Sequence, residues 1–170
     1  MKKTTTKKIA RTGIIASLYV ALSLLVLPLA SGAIQVRFGE AMTLLPLFFP
    51  EACLALFVGC VIVNIISGCA LIEVFLGAMV TIVSAMLTYL IGKIVKSKPL
   101  RIAFGGSFPV LLNAFILPLI WFYCYGQIEY VYLFQALLIF LGQSVAVYGL
   151  GSLVYAGLEK AIVKNPELLK

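Results

Sequence analysis

Three carboxylates, Glu40, Glu51 and Glu73, sit within or beside long apolar runs, in a chain that has six acidic residues and no histidine. Between residues 38 and 66 the only charges are Glu40 and Glu51. A carboxylate in hydrocarbon costs about 3 kcal/mol or more, so such a group faces a cavity or a partner. Neutral polar residues accompany them in equally apolar surroundings: Asn64, Asn113, Gln135 and Gln143. Carboxylates accept hydrogen bonds, and amides both donate and accept them. The set suits a small, polar, planar ligand, with Trp121, Tyr123 and Tyr148 offering a stacking face and a hydroxyl.

Each of these residues also has a purely structural reading. Asn64, Asn113 and Gln143 read equally well as hydrogen-bonding glue between membrane helices. Glu40 could pair with Arg37 or lie at the positive end of a helix, and Glu73 could do the same at the start of the next long run. Glu51 directly follows Pro50, where a helix N-terminal role is the expectation. Tyr19 and Tyr89 read as packing or interface aromatics. Arg37 is a lone base in a short loop, placed to orient a lid or to contact a ligand.

Several chemistries are excluded or disfavoured. There is no G-x-x-x-x-G-K-[ST] phosphate loop and no G-x-G-x-x-G turn, and without histidine no Ser/His/Asp or Cys/His set exists. The chain is therefore not expected to be an enzyme, and any ATP hydrolysis must come from a partner. Cys53, Cys60, Cys69 and Cys124 match no Cys-x-x-Cys spacing and read as inert apolar thiols, so neither a metal site nor a cofactor is expected.

The elements that must position these groups are membrane spans. The composition is 63% hydrophobic and 11% charged, against about 25% charged in soluble domains. We expect an all-α membrane protein forming one integral domain over residues 1–170: a basic tail at 1–11, a six-helix bundle at 12–158 and a second tail at 159–170. The expected spans are residues 12–30, a second beginning near Glu40, 51–66, 72–92, 108–123 and 131–158. Pro46 and Pro50 make the second short or broken. Residues 67–70 read as a turn, 93–101 as a basic loop containing Pro99, and 126–129 as another loop. The run at 12–33 is longer than a signal-peptide core, so a retained first helix is the expectation.

The net charge of +7 is distributed in three clusters: Lys2 to Arg11, Lys93 to Arg101, and Lys160 to Lys170. Each flanks an apolar run, which argues against nucleic-acid binding. With six crossings all three clusters fall on one side, the cytoplasmic one by the positive-inside rule. Both termini are then cytoplasmic and the protein is multi-pass in the cell membrane. Gly13, Ser17 and Ala21 recur every four residues in the first span, a small-residue stripe that permits close approach to another helix, internal or from another subunit.

The stretch Val36-Arg37-Phe38-Gly39-Glu40-Ala41-Met42-Thr43-Leu44-Leu45-Pro46, followed by Phe49-Pro50-Glu51-Ala52 and Gly59-Cys60 through Asn64, resembles the queuosine-precursor transporter family (QueT). Shorter matches follow at Leu76-Gly77, Thr81, Leu87-Thr88-Tyr89, Pro109-Val110, Asn113-Ala114 and Gly142. The family consists of S components, the substrate-binding membrane subunits of energy-coupling factor (ECF) transporters. The resemblance implies uptake of a 7-deazaguanine base such as the 7-cyano or 7-aminomethyl precursor. It also implies a transmembrane coupling subunit and two cytoplasmic ATPases as partners, with the Gly13/Ser17/Ala21 stripe resembling the docking surface. The sequence departs from the family pattern at Gln143 and Glu73, where an acidic residue and an aspartate are expected.

On this reading Glu73 or Glu40 supplies paired acceptors to a guanine-like edge. Asn113, Gln143 and Asn64 support it, and Arg37 and Trp121 lie nearby. Three other readings stay open: an S component for another vitamin or nucleobase, an autonomous proton-coupled carrier, and a scaffold whose polar residues are interhelical glue.

Overall fold

The computed structural model describes residues 2–27, 37–126 and 130–169. All regular structure among them is helical. Helix α1 spans Lys2–Leu25, a 3-10 segment follows at Phe38–Leu47, and α2 spans Ala52–Ile66. Then come α3 at Leu71–Ile94, α4 at Lys98–Tyr125 and α5 at Tyr132–Ser144. A π-helical turn at Val145–Leu150 joins α5 to α6 at Gly151–Lys164, and a short 3-10 turn ends the chain at Pro166–Leu169. Among the described residues four helical stretches are long and apolar enough to cross a membrane: Thr5–Leu25, Leu71–Ile94, Lys98–Tyr125 and Tyr132–Lys164.

The distribution of side chains is that of a protein solvated by lipid. Large apolar groups such as Leu71, Phe75, Leu133 and Leu153 point outward, while Glu40, Asn64, Glu73, Thr88, Asn113 and Gln143 are buried. A water-soluble protein rarely buries so many polar groups while exposing so much hydrocarbon.

The second element is the unusual one. Runs of 3-10 helix longer than a turn are uncommon, and this one has ten residues. Pro46 lacks an N–H and cannot complete an α-helical ladder, and Pro50 prevents its continuation. At about 2 Å per residue the segment is roughly 20 Å long, short of the roughly 30 Å hydrocarbon core. Residues Gly39 through Leu47 are all buried. The segment runs through the middle of the bundle, packed on α1, α2, α3, α4, the π turn and α6. Consecutive helices α1 with α2, α2 with α3, α3 with α4 and α4 with α5 pack around it.

Contacts fix which ends lie together. Arg11 of α1 pairs with Glu51 at 2.6 Å. The Arg101 Nη2 of α4 donates to the Leu47 carbonyl at 2.6 Å, and Lys98 pairs with Glu159 of α6. The basic clusters flanking Arg11, Arg101 and Lys160 thus share one end of the bundle. Arg37, Cys69, Glu73 and Tyr125 stand at the other.

The helix boundaries differ from the sequence expectation at several points; α6, for instance, runs to Lys164, past the expected end at 158. α1 begins at Lys2, so the basic tail is a continuation of the helix. α4 begins at Lys98 rather than 108, with Pro99 in its first turn. There the missing N–H is one that no helix would satisfy anyway, so the expected loop shrinks to a few residues after Ile94. The expected loop at 126–129 lies mostly outside the described residues. Glu51 stands at the N-cap position of α2 but makes no capping hydrogen bond; its carboxylate serves Arg11 instead.

The Arg101 bond closes the end of the 3-10 segment, where carbonyls lack helical partners. Arg101→Gln should therefore lower stability by about 1.5–3 kcal/mol, the range for a hydrogen bond to a charged group. Glu159→Gln, which removes an exposed ion pair, should cost below about 1 kcal/mol. Thermal unfolding of both variants in the same detergent checks the ranking.

Candidate functional site

Tyr19 organises the end of the bundle opposite the basic clusters. It lies on α1, is fully buried, and donates its hydroxyl to Glu40 Oε1 at 2.7 Å. The ring fits because its neighbours lack side chains. A Cβ on Gly59 would stand 2.8 Å from Tyr19 Cδ1, and one on Gly39 would stand 2.1 Å from the Ser23 Oγ and 3.0 Å from the Tyr19 carbonyl oxygen. These two glycines let α1, the 3-10 segment and α2 close around one phenol.

Glu40 is 2% exposed. Its Oε1 is held by Tyr19, but its Oε2 is shielded from solvent and has no hydrogen-bond partner among the described residues. Arg37, three residues earlier, does not form an ion pair with it; the ion pairs among the described residues are Arg11–Glu51 and Lys98–Glu159. The Arg37 guanidinium instead donates to Asn64 Oδ1 at 3.4 Å. Asn64 Nδ2 donates to Cys60 Sγ at 3.6 Å, and Thr81 of α3 donates to the same sulfur at 3.4 Å. A polar thread therefore runs from the 3-10 segment through α2 to α3.

Glu73 is placed differently. It is buried in the first turn of α3. Trp121 donates its indole N–H to Oε1 at 2.9 Å, and the Tyr125 hydroxyl bonds Oε2. The two aromatic donors are four residues apart on α4, so they share a face. Tyr125 also accepts from the Ala70 N–H at 3.2 Å. Both carboxylate oxygens are thus engaged, and Glu73 ties the start of α3 to the end of α4. Cys69, in the turn before α3, lies within electrostatic reach of both Glu73 and Arg37. Burial, and then the Glu73 charge, push its thiol up to about 11, so it stays protonated at neutral pH.

Asn113 and Gln143 occupy a third position. Asn113 lies one turn from Val110 and one from Leu117 on α4; Gln143 lies one turn from Ile139 on α5 and one from Val147 in the π turn. Val110 and Val147 belong to an apolar cluster with Leu44 and Leu47, whereas Leu117 and Ile139 belong to another with Val80 and Ile120. Asn113 and Gln143 thus form a polar layer between two apolar ones. Gln143 is 0% exposed, and neither its Oε1 nor its Nε2 has a hydrogen-bond partner among the described residues. Asn113 is buried too.

The remaining expected residues fall elsewhere. Tyr123 is 75% exposed on the outside of α4. Tyr148 donates to the Ala103 carbonyl at 2.9 Å, toward the basic end. Neither offers a face to the polar layer by these contacts, and the Trp121 N–H is committed to Glu73. Gly13, Ser17 and Ala21 are all exposed on α1. Among the described residues no group of three or more His, Cys, Asp or Glu converges as a metal site would require. The sequence reading missed Tyr19, Ser23 and Tyr125. The available signal was that a tyrosine inside an apolar span must find a partner for its hydroxyl.

The model of the family described as QueT transporter matches residues 9–160. No curated protein and no solved structure matches the chain. The match covers most of the chain and every polar residue of the candidate site, and the chain belongs to the QueT transporter family, whose members are membrane transporters and not enzymes.

Proposed function

We propose that the chain is the substrate-binding S component of an ECF-type importer, and that its cargo is a 7-deazaguanine precursor of queuosine, the 7-cyano or 7-aminomethyl base. The observation that carries this reading is that Glu40 Oε2 and both amide atoms of Gln143, with Ser23 Oγ, Ser144 Oγ and Arg101 Nε, are buried polar atoms without a hydrogen-bond partner among the described residues. An unsatisfied buried polar group costs about 1–3 kcal/mol, more when charged. In a transporter, a ligand rich in donors and acceptors is the natural group to satisfy them.

Glu40 is the principal acceptor, held in place by Tyr19 so that Oε2 meets the N–H groups of the base. Gln143 and Asn113 serve its carbonyl and ring nitrogens. Asn64 and Arg37 close the Glu40 side. Glu73, with both oxygens engaged by Trp121 and Tyr125, is a strut beside the entry rather than the primary contact, and Trp121 contributes its ring face. By the positive-inside rule the end bearing Arg11, Lys93, Lys98 and Lys160 is cytoplasmic, with both termini, and the Arg37 loop faces outward. The chain has no nucleotide-binding motif, so a coupling subunit and two ATPases supply the energy. The exposed Gly13/Ser17/Ala21 stripe is the proposed docking face.

Two measurements test this. In calorimetry with the two bases, Glu40→Gln should weaken binding by at least about tenfold, the lower end for losing a charge-assisted hydrogen bond. Tyr19→Phe should weaken it by a few-fold, and Glu73→Gln should lower thermal stability more than affinity. Unchanged affinity in Glu40→Gln would remove the proposed acceptor. Uptake in cells should require co-expressed coupling and ATPase subunits; uptake driven by a proton gradient without them would replace this reading with an autonomous carrier.

A further inference from the structure

α1 and α6 each pack on the 3-10 segment, but they do not form an extended contact with each other. Between them lies a cleft of about 290 Å³. Met42 and Phe49 of the 3-10 region form its floor, Leu18 one wall, and Val154 and Leu158 the other. Arg11 stands at its basic end. Residues three and four apart share a helix face, so Lys7 and Lys8 extend the Arg11 side of the cleft by one turn. Both are exposed, and neither belongs to the ion pairs among the described residues. Arg11 is paired with Glu51 at 2.6 Å, and the two lysines add further positive charge beside it.

Apart from Arg11, the lining of the cleft among the described residues is apolar throughout. Hydrocarbon walls running along α1 and cations at one end are complementary to a single amphiphile with an anionic head. We propose that this cleft binds an anionic phospholipid, one acyl chain lying over Met42 and Phe49 and the phosphate-bearing head held by Lys7 and Lys8. The chain would cover the apolar cleft beside the buried 3-10 segment, and the site is independent of the cargo site.

The test is native mass spectrometry of the full chain in detergent, supplied with equal amounts of phosphatidylglycerol and phosphatidylcholine of the same chain length. The unaltered protein should retain phosphatidylglycerol on the order of tenfold more, since each base near a headgroup contributes about 1 kcal/mol. Lys7→Gln combined with Lys8→Gln, at exposed positions with no folding role, should erase the preference. Leu18→Trp, at a position 49% exposed, should fill the cleft and reduce retention of both lipids. Equal retention by the unaltered protein overturns the proposal. So does a response to the lysine changes without a response to Leu18→Trp, which is headgroup attraction with no seated chain. A response to Leu18→Trp alone overturns the anionic assignment.

Discussion

The structure depends on enclosing a stretch of backbone that is not α-helical inside a protein surrounded by lipid. Hydrocarbon offers no hydrogen bonds, so irregular backbone at membrane depth survives only when buried in protein or lining a polar cavity. The 3-10 segment Phe38–Leu47 meets that condition with nine consecutive buried residues, Gly39 through Leu47. The long helices are arranged around it, and its two ends are tied by different chemistry. At one end Arg101 satisfies the Leu47 carbonyl and Arg11 pairs with Glu51. At the other the Tyr19 hydroxyl holds Glu40.

The two buried carboxylates illustrate how environment divides labour between like groups. Glu73 has a donor on each oxygen, both from α4, and acts as an interhelical tie. Glu40 has one donor and one bare oxygen. A buried acceptor left open is expensive in a folded protein. The contrast in hydrogen bonding, more than the presence of acidic residues, distinguishes the two carboxylates in this chain.

Much of the fold was legible in the sequence. Long apolar runs gave the spans, small residues marked the turn after Ile66, and Pro46 with Pro50 signalled a broken second element. The sequence could not reveal that this element would be 3-10 and central, because a run that is apolar on every side has no face to assign. Pro99 was read as a loop marker although proline is equally at home in a first helical turn. For the site, Glu40, Asn64, Asn113 and Gln143 stood out because polar groups are costly in apolar runs. Tyr19 did not, since a tyrosine blends with packing aromatics until its hydroxyl is seen to touch Glu40. Tyr123 and Tyr148 were nominated by type alone, and their direction on the helix decided against them.

The π turn at Val145–Leu150 sets the angular registry of the last helix. One extra residue in a turn advances everything after it by about 100° around the axis. Gln143 precedes the turn and faces inward, whereas Tyr155 and Val154 follow it and meet Phe48 and the α1 cleft. An uninterrupted α-helix of the same sequence could present one of these sets correctly but not both. The wide turn therefore works as a phase adjuster, letting a single helix address the polar interior with its first half and the aromatic, cation-lined base of the bundle with its second.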